Sequence, residues 1–164
     1  MSDDPVERHD IAFVLNGEAI DATVDARTHL ADFIRNALGR TGTHIGCEHG
    51  VCGACNVMVD GVSVRSCLML AVQADRCDIV TVEGLTASGS IADLQDEFVQ
   101  RNALQCGYCT SGMLATATEM LQGPMLSRDT IRDGLSGNYC RCTGYQAIVD
   151  AIEAVMIRRA EARS

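Results

Sequence analysis

The chain has 164 residues, enough for one domain or two small ones, and a formal net charge of −9 that disfavours nucleic acid and anionic membranes as partners. It contains no run of 18 or more apolar residues, so we predict no membrane span, and residues 1–10 are too polar and acidic for a secretory signal. Nine cysteines in such a chain predict metal or redox chemistry in the cytoplasm rather than disulfides.

Alternating apolar residues open the chain as a predicted β-hairpin. Its strands cover residues 11–16 and 18–24, with every second side chain apolar. Asn16 and Gly17 form a dipeptide typical of a two-residue turn between antiparallel strands. The first element of the fold is therefore expected to be a two-stranded ribbon with one buried face.

A helix and more strands are predicted after this hairpin. Apolar residues recur at helical spacing over residues 30–38, with Thr28 as the expected N-cap and Gly39 just beyond the last turn. Three short strands are predicted at residues 56–59, 62–66 and 78–82, with a two-residue turn at Asp60 and Gly61 between the first two. These elements together predict a small α+β unit.

The first cysteine cluster lies between that helix and those strands. Three cysteines are spaced C-x4-C-x2-C, and the fourth follows after eleven more residues. The set is Cys47, Cys52, Cys55 and Cys67. Plant-type [2Fe–2S] ferredoxins have this C-x4-C-x2-C spacing with one distant cysteine. Glycines at 46, 50 and 53 permit the unusual backbone of a loop that wraps a cluster. Zinc is disfavoured here, because zinc sites are usually built from two short Cys-x-x-Cys pairs.

The apolar period changes from two to 3.6 beyond residues 86–90, a Thr-Ala-Ser-Gly-Ser stretch that we predict to be a linker. The expected domains are a plant-type ferredoxin-like domain, residues 1–85, and a helical domain, residues 86–164. Four helices are predicted in the second domain. They begin at a Ser90-x-x-Asp93 capping box, before Met113, near Ser127 and after Thr143, where Thr-x-x-Gln resembles a second capping box.

The second cysteine cluster lies in the predicted helical domain. It consists of a C-x2-C pair and a C-x-C pair, namely Cys106, Cys109, Cys140 and Cys142. Each pair precedes a predicted helix start, where free N–H groups and a partial positive charge favour an anionic group. These four thiols could hold a second [2Fe–2S] cluster or a structural zinc ion, and both remain open. Cys77 is left over, as a buried or idle thiol.

Other site types have no matching motif. No Gly-x-Gly-x-x-Gly or P-loop sequence is present, and no Ser/His/Asp set can be recognised. We therefore predict no catalytic residue on this chain. His44 and His49 lie near the first cysteine loop and could in principle bind iron, but four suitably spaced cysteines make them unnecessary.

Three segments resemble the iron–sulfur subunit of bacterial molybdenum hydroxylases. They are residues 46–55, 105–113 and 137–145, in the order and spacing of that family. The family is that of xanthine oxidase and includes aerobic carbon monoxide dehydrogenase, aldehyde oxidoreductases and dehydrogenases of N-heteroaromatic compounds. The resemblance covers about residues 10–157. One departure is Ser111, where proline is common, and serine is also tolerated at a helix start.

This resemblance implies a fold, cofactors and partners. The fold would be α+β, with an N-terminal β-grasp [2Fe–2S] ferredoxin domain and a C-terminal four-helix [2Fe–2S]-binding domain. Each set of four cysteines would hold one [2Fe–2S] cluster. A large partner subunit would carry molybdopterin, usually as the cytosine dinucleotide, and a medium subunit would carry FAD, in a heterotrimer or its dimer. Gln105 matches the glutamine that hydrogen-bonds the pterin, and Cys142 matches the cluster ligand nearest to it.

The implied function is single-electron transfer within such a complex. Electrons would pass from the molybdopterin centre through the helical-domain cluster and the ferredoxin-domain cluster to FAD or another acceptor. Two alternatives remain from the residues alone: a free two-cluster ferredoxin with several partners, and a zinc-stabilised interaction module without redox activity. N-heterocycles, purines, aldehydes and carbon monoxide all remain possible substrates of the complex.

Overall fold

A computed structural model describes residues 7–162, and its first half is built on one mixed five-stranded sheet. The strands are β1 (Arg8–Leu15), β2 (Glu18–Asp25), β3 (Asn56–Val59), β4 (Val62–Arg65) and β5 (Asp78–Val80). Their order is β2-β1-β5-β3-β4, with β1 and β5 parallel and the other neighbours antiparallel. This is the β-grasp sheet that the resemblance implied, so the predicted fold class is confirmed.

Both predicted two-residue turns are present. Asn16 and Gly17 have φ angles of 53° and 83°, and Asp60 and Gly61 have φ angles of 50° and 83°. Two successive positive φ angles define the turn whose twist matches that of the flanking strands. The turn residues therefore determine where β1 meets β2 and where β3 meets β4.

The N-cap of the helical segment after β2 lies one residue later than predicted, at position 29 instead of 28. Helix α1 (Leu30–Asp32) continues as a π-helical turn, Phe33–Ala37. The predicted Thr28 cap is wrong, because His29 occupies the N-cap position and its Nδ1 accepts a hydrogen bond from the Asp32 N–H at 3.1 Å. The imidazole thus satisfies a backbone N–H of the first turn, which is the role that was expected of the Thr28 hydroxyl.

Five helices follow the sheet in the chain up to residue 162, and the last four match the predicted helices. They are α2 (Val82–Ala87), α3 (Ala92–Gln100), α4 (Thr110–Gln122), α5 (Arg128–Gly134) and α6 (Gln146–Glu161). Helix α5 begins next to Ser127, as predicted, and the Ser127 hydroxyl caps it by accepting from the Thr130 N–H at 3.2 Å. The sixteen residues of α6 form the longest of these helices.

Helix α2 and the turn after it replace the linker predicted at residues 86–90. The hydroxyls of Ser88 and Ser90 both donate to the Leu85 carbonyl oxygen, at 3.0 and 3.2 Å, and close the end of the helix. The predicted Ser90 capping box is also wrong. Ile91 occupies the N-cap position of α3, and Asp93 forms an ion pair with Arg159 of α6.

Two apolar cores underlie the two halves. The first lies between the sheet and the segment after β2, and it includes Phe13, Leu15, Leu30, Ile34 and Ile79. The second lies among the helices and includes Phe98, Met113, Ile131, Ile148 and Ile152. We propose that the boundary between two domains lies in the stretch of chain that joins the two cores, near the expected boundary between residues 85 and 86. Within residues 7–162, none of the helices is long and apolar enough to cross a lipid bilayer.

A buried carboxylate joins α3 to α6. Glu97 is 5% exposed and pairs with Arg101, at 2.6 Å, and with Arg158. Hydrogen bonds from these two guanidinium groups hold the pKa of Glu97 below its ordinary value, against the opposing effect of burial. A lowered pKa in the folded state means that this pair stabilises the fold above about pH 4.5 and that its contribution disappears as the pH falls further.

Replacing this residue, as Glu97→Gln, should lower the free energy of unfolding by about 1–3 kcal/mol at pH 7, because two charged partners lose their anion. The decrease in thermal midpoint, about 2–4 °C per kcal/mol for a chain of this size, should be the same at pH 8 and pH 6. Glu18→Gln is the matched control, since Glu18 forms an exposed pair with Arg40 and should change stability by under about 1 kcal/mol. Equal effects of the two substitutions would contradict this prediction.

Candidate metal centres

The first cysteine loop connects the π-helical turn to β3. Gly50 and Gly53 adopt φ angles of +80° and +70° in this loop, a region that side chains disfavour. These angles let the chain fold back tightly, and Cys47 and Cys52 are half-buried in the loop. Cys55 and the distant Cys67 are buried, at 2% and 6% exposure.

The first loop directs amide groups at a sulfur atom. The N–H groups of Val51 and Cys52 donate to Cys47 Sγ at 3.3 and 3.4 Å. Burial acts to raise the pKa of Cys47, but hydrogen bonds from the amides of Cys52, His49 and Val51 outweigh it and lower the pKa to about 6. The loop is therefore organised to hold an anionic sulfur.

The buried cysteines of the first set, Cys55 and Cys67, form a hydrogen bond with each other. Burial and the hydrogen bond with Cys55 raise the pKa of Cys67 to about 11. The charge of Cys47 adds to that increase, because it disfavours a second anion nearby. A cation bound between the sulfurs would remove this cost, since a coordinating thiol is deprotonated outright.

The second set approaches the surface of the helical half. Cys106 and Cys142 are exposed, and their sulfur atoms lie 3.6 Å apart. Cys109 and Cys140 lie deeper, and their thiols also form a hydrogen bond with each other. Burial, followed by that hydrogen bond, raises the pKa of Cys109 to about 12.

Only one of the two cysteine pairs lies at a helix start. Cys109 occupies the N-cap position of α4, as predicted. Cys142 does not precede α6 directly, because that helix begins at Gln146 and its N-cap position is Tyr145. The predicted Thr143 cap is therefore wrong, and the Thr143 hydroxyl donates instead to Cys140 Sγ at 3.0 Å.

The eight thiols of the two sets lie in pairs. Hydrogen-bonded pairs form between Cys47 and Cys52, Cys55 and Cys67, Cys106 and Cys142, and Cys109 and Cys140. Within residues 7–162, no three His, Cys, Asp or Glu side chains converge on a position for a single metal ion. A structural zinc ion requires four ligands around one point, at about 2.3 Å for thiolates. A [2Fe–2S] cluster requires two on each of two irons, and both sets fit it.

The two cysteine sets contact each other through a buried hydrogen-bond network. The Tyr139 N–H, next to Cys140, donates to the Cys52 carbonyl oxygen at 2.8 Å. The side-chain amide of Asn138, which is 2% exposed, donates to the Gly53 carbonyl oxygen at 3.2 Å. Asn138 also accepts from the Thr116 hydroxyl at 3.1 Å. These contacts bring the first loop against the residues that precede Cys140.

His44 provides a second connection between the halves. Its ring stacks on Tyr108 with centroids 4.8 Å apart, and its Nδ1–H donates to the Tyr108 carbonyl oxygen at 2.8 Å. The Tyr108 hydroxyl in turn donates to the Ile45 carbonyl oxygen at 2.7 Å. The His49 Nδ1–H donates a hydrogen bond to the Cys47 carbonyl oxygen. Both histidines thus have contacts that orient the cysteine loops.

The structure brings Gln105 to the second set and leaves Cys77 away from both. Gln105 is exposed, and its Nε2 donates to the Cys142 carbonyl oxygen at 3.1 Å. Cys77 packs beside the first apolar core, and its thiol faces the Gln73 carbonyl oxygen at 3.6 Å. Burial, followed by the charge of Asp60, raises the pKa of Cys77 and favours the neutral thiol.

Sequence reasoning missed the residues that support the cysteines. Asn138 lies inside a motif that the sequence singled out, but its partner Gly53 is 85 residues away. The role of Thr143 was hidden because its spacing to Gln146 also fits a helix cap. A hydroxyl residue directly after a Cys-x-Cys pair is the signal that could have identified it.

Two family models match the chain and divide it as the two cysteine sets do. Residues 13–79 match the model described as "2Fe-2S iron-sulfur cluster binding domain". Residues 81–153 match the model described as "[2Fe-2S] binding domain". Both halves of the chain are thus similar to domains that bind a [2Fe–2S] cluster.

Relatives of known activity match nearly the full length. The chain is 52% identical to the caffeine dehydrogenase subunit gamma of Pseudomonas sp. strain CBB1, and 50% identical to the nicotine 6-hydroxylase small subunit of Paenarthrobacter nicotinovorans. Each match covers 90% of this chain and 90% of the relative. A chain of quinoline 2-oxidoreductase from Pseudomonas putida 86 superposes with a TM-score of 0.88 at 50% identity, covering 96% of this chain and 98% of that one.

Proposed function

Because this chain belongs to the family of iron–sulfur subunits of molybdenum hydroxylases, we propose that it transfers single electrons from the molybdopterin centre of a large partner subunit to FAD or another acceptor. A [2Fe–2S] cluster in each half would supply the one-electron chemistry. The residues of this chain then hold the clusters, orient them and exclude water.

We assign one set of four thiolates to each cluster. The first set is Cys47, Cys52, Cys55 and Cys67, and the second is Cys106, Cys109, Cys140 and Cys142. Pairwise contact of the thiols supports both assignments, because two thiolates must bind each iron. The amides directed at Cys47 and Cys140 support an anionic centre in both halves.

The observation that carries the proposed direction is the difference in exposure between the two sets. Cys106 and Cys142 are exposed, with Gln105 bonded beside them, whereas Cys55 and Cys67 are buried. The second set is therefore the one that a partner's cofactor could approach closely. Its other side meets the first loop through the Tyr139-to-Cys52 hydrogen bond, which gives a short covalent and hydrogen-bonded connection between the sets.

The partner subunits follow from the same assignment. We propose a large subunit with molybdopterin, usually as the cytosine dinucleotide, against Gln105 and Cys142, and a medium FAD subunit near the first loop, in a heterotrimer or its dimer. The relatives named for caffeine, nicotine and quinoline act on nitrogen heterocycles, so we propose an N-heteroaromatic substrate for the complex. Nine free cysteines fit assembly in the cytoplasm, where thiols stay reduced.

The test of the function is Gln105→Ala in the assembled complex. Cluster content should be unchanged, but reduction of the iron–sulfur chromophore by the substrate of the large subunit, followed by stopped flow, should slow severalfold. Chemical reduction by dithionite should be unaffected. Gln100→Ala, at the exposed end of α3, is the matched control.

Three outcomes would contradict the proposal. An unchanged rate of substrate-driven reduction in Gln105→Ala would mean that Gln105 takes no part in electron transfer from the partner's cofactor. Purification of a coloured chain that never associates with a molybdenum subunit would favour a free ferredoxin. A colourless chain that contains zinc would favour an interaction module without redox activity.

A further inference from the structure

The Cys140 sulfur receives two hydrogen bonds from one residue. Thr143 donates to it from its hydroxyl, at 3.0 Å, and from its backbone N–H, at 3.4 Å. The hydroxyl is half-buried, in a segment that is neither helix nor strand. The predicted role of Thr143 as a helix cap is ruled out by the start of α6, so this hydroxyl needs another explanation.

The direction of the hydroxyl proton follows from its other contact. The Tyr145 N–H donates to Thr143 Oγ1 at 3.2 Å, so that this oxygen is already an acceptor on one side. A hydroxyl has one proton to donate, and Cys140 Sγ is the partner within reach. The proton therefore points at the sulfur.

The backbone around Thr143 is held in an unfavourable conformation that keeps these contacts. Gly144 and Tyr145 have φ angles of 69° and 70°, in the left-handed region that an aromatic residue rarely adopts. The Tyr145 hydroxyl accepts from the Cys140 N–H at 2.8 Å, which closes the segment into a ring of hydrogen bonds. Such strain persists only where the surrounding contacts over-determine it.

We propose that Thr143 is a positioning residue that raises the reduction potential of the second cluster through its O–H···S hydrogen bond to Cys140. Reduction adds negative charge that the ligand sulfurs share, and a hydrogen bond to an ionised acceptor is stronger than one to a neutral acceptor. The donor therefore stabilises the reduced state more than the oxidised state. Hydrogen bonds to the sulfurs are one of the means by which a protein sets such potentials.

The first set supplies an internal reference. Cys47 receives backbone N–H donors from Val51 and Cys52, and no side-chain hydroxyl donor to it is seen among residues 7–162. A hydroxyl donor therefore distinguishes Cys140 from Cys47, and it can be removed without changing the first set. A donor placed at the proposed inlet would make the second cluster a better acceptor for electrons from the partner.

The inference depends on the proposed ligand assignment, and the experiment separates the two. Thr143→Val removes the donor while keeping the shape, and Thr143→Ser keeps the hydroxyl. In full-length protein with complete iron and sulfide, an EPR-monitored redox titration should show a lower midpoint for the second cluster in Thr143→Val. The expected change in its one-electron equilibrium constant is about three- to tenfold, or about 30 to 60 mV at 59 mV per tenfold. Thr143→Ser and the first cluster should stay at the wild-type values.

Each outcome decides one of the two claims. An unmoved midpoint in a fully loaded Thr143→Val protein, or an equal decrease in Thr143→Ser, would overturn the role of Thr143. Wild-type protein with no cluster in the helical half would overturn the ligand assignment instead. If Thr143→Val fails to retain the cluster, ENDOR spectra of wild-type protein in H2O and D2O decide. An exchangeable proton strongly coupled to the second cluster is expected, and its absence would refute the hydroxyl contact.

Discussion

Replacing the small residue at position 112, as Gly112→Ala, is expected to destabilise the contact between the two halves by more than about 2 kcal/mol. Gly112 lies in the first turn of α4, and a Cβ there would lie 2.0 Å from the Gly53 carbonyl oxygen and 3.1 Å from the Ala54 Cα. Backbone atoms of the cysteine loop cannot move aside as a flexible side chain would. The cost of such overpacking is typically about 1–3 kcal/mol and occasionally more.

The sign of this prediction is informative because helix propensity predicts the opposite. Alanine inside a helix is favoured over glycine by about 1 kcal/mol, so a free α4 would become more stable. The loop cannot retreat to make room, because Gly53 is already clamped from its other side. A Cβ on Gly53 would lie 2.6 Å from the Gly137 carbonyl oxygen, and the Asn138 amide donates to the Gly53 carbonyl oxygen.

The measurement is the thermal midpoint of the cluster-loaded chain, which should decrease by at least about 4–8 °C in Gly112→Ala, since each kcal/mol lowers it by about 2–4 °C. Gly123→Ala is the matched control. Gly123 follows α4 with a negative φ, and a Cβ there meets only the Met120 carbonyl oxygen at an ordinary 3.6 Å. An increase in the midpoint of Gly112→Ala would mean that helix propensity dominates and that the two halves are not held this closely.

Short-range patterns predicted most of the fold. The hairpin at Asn16 and Gly17 and the core stripe of α4 depend on residues that are neighbours in sequence, and both are present. The errors occur where a polar side chain has a distant or competing partner. Asp93, predicted in a capping box, pairs with Arg159 of α6, 66 residues away. The Thr143 hydroxyl bonds a sulfur rather than a helix amide.

The candidate sites could be predicted in part for the same reason. The spacing of the cysteines can be read from the sequence. All eight cysteines that form pairs in the structure therefore belong to the two predicted sets. Their environment could not be predicted, because exposure is a property of the folded chain. That Cys142 is exposed while Cys67 is buried depends on how two separate cores pack together. The residues that join the sets, such as Asn138, form contacts across the whole sequence.

Single-ligand substitutions should remove one cluster each, the other prediction with a large effect. Cys47→Ala should lose the first cluster, and Cys106→Ala should lose the second, because an iron with one protein thiolate is incompletely bound. Iron content should decrease from about four to about two per chain, since each cluster contains two irons. The altered residues are half-buried and exposed respectively, so the apolar cores should remain intact.

EPR spectroscopy of the reduced protein checks which cluster is lost. The surroundings of the sets differ, with backbone donors on Cys47 and a hydroxyl donor on Cys140, so wild-type protein should show two distinguishable [2Fe–2S] signals. Each substitution should remove a different one, and the signal that survives in Cys47→Ala identifies the second cluster for redox titration. A single cluster environment in fully loaded wild-type protein would contradict this expectation.

Cys77→Ser completes the set as the control that should change nothing. Cys77 is the ninth cysteine, lies beside the first core and forms no thiol pair in the described part of the chain. Its replacement should therefore keep four irons and both EPR signals, and loss of iron would mean that the ligand assignment is wrong. A wild-type chain that contains two irons and one zinc would mean that the second set of cysteines binds zinc. The pairing of Cys106 with Cys142 and of Cys109 with Cys140 suits a cluster that has two thiolates on each of two irons.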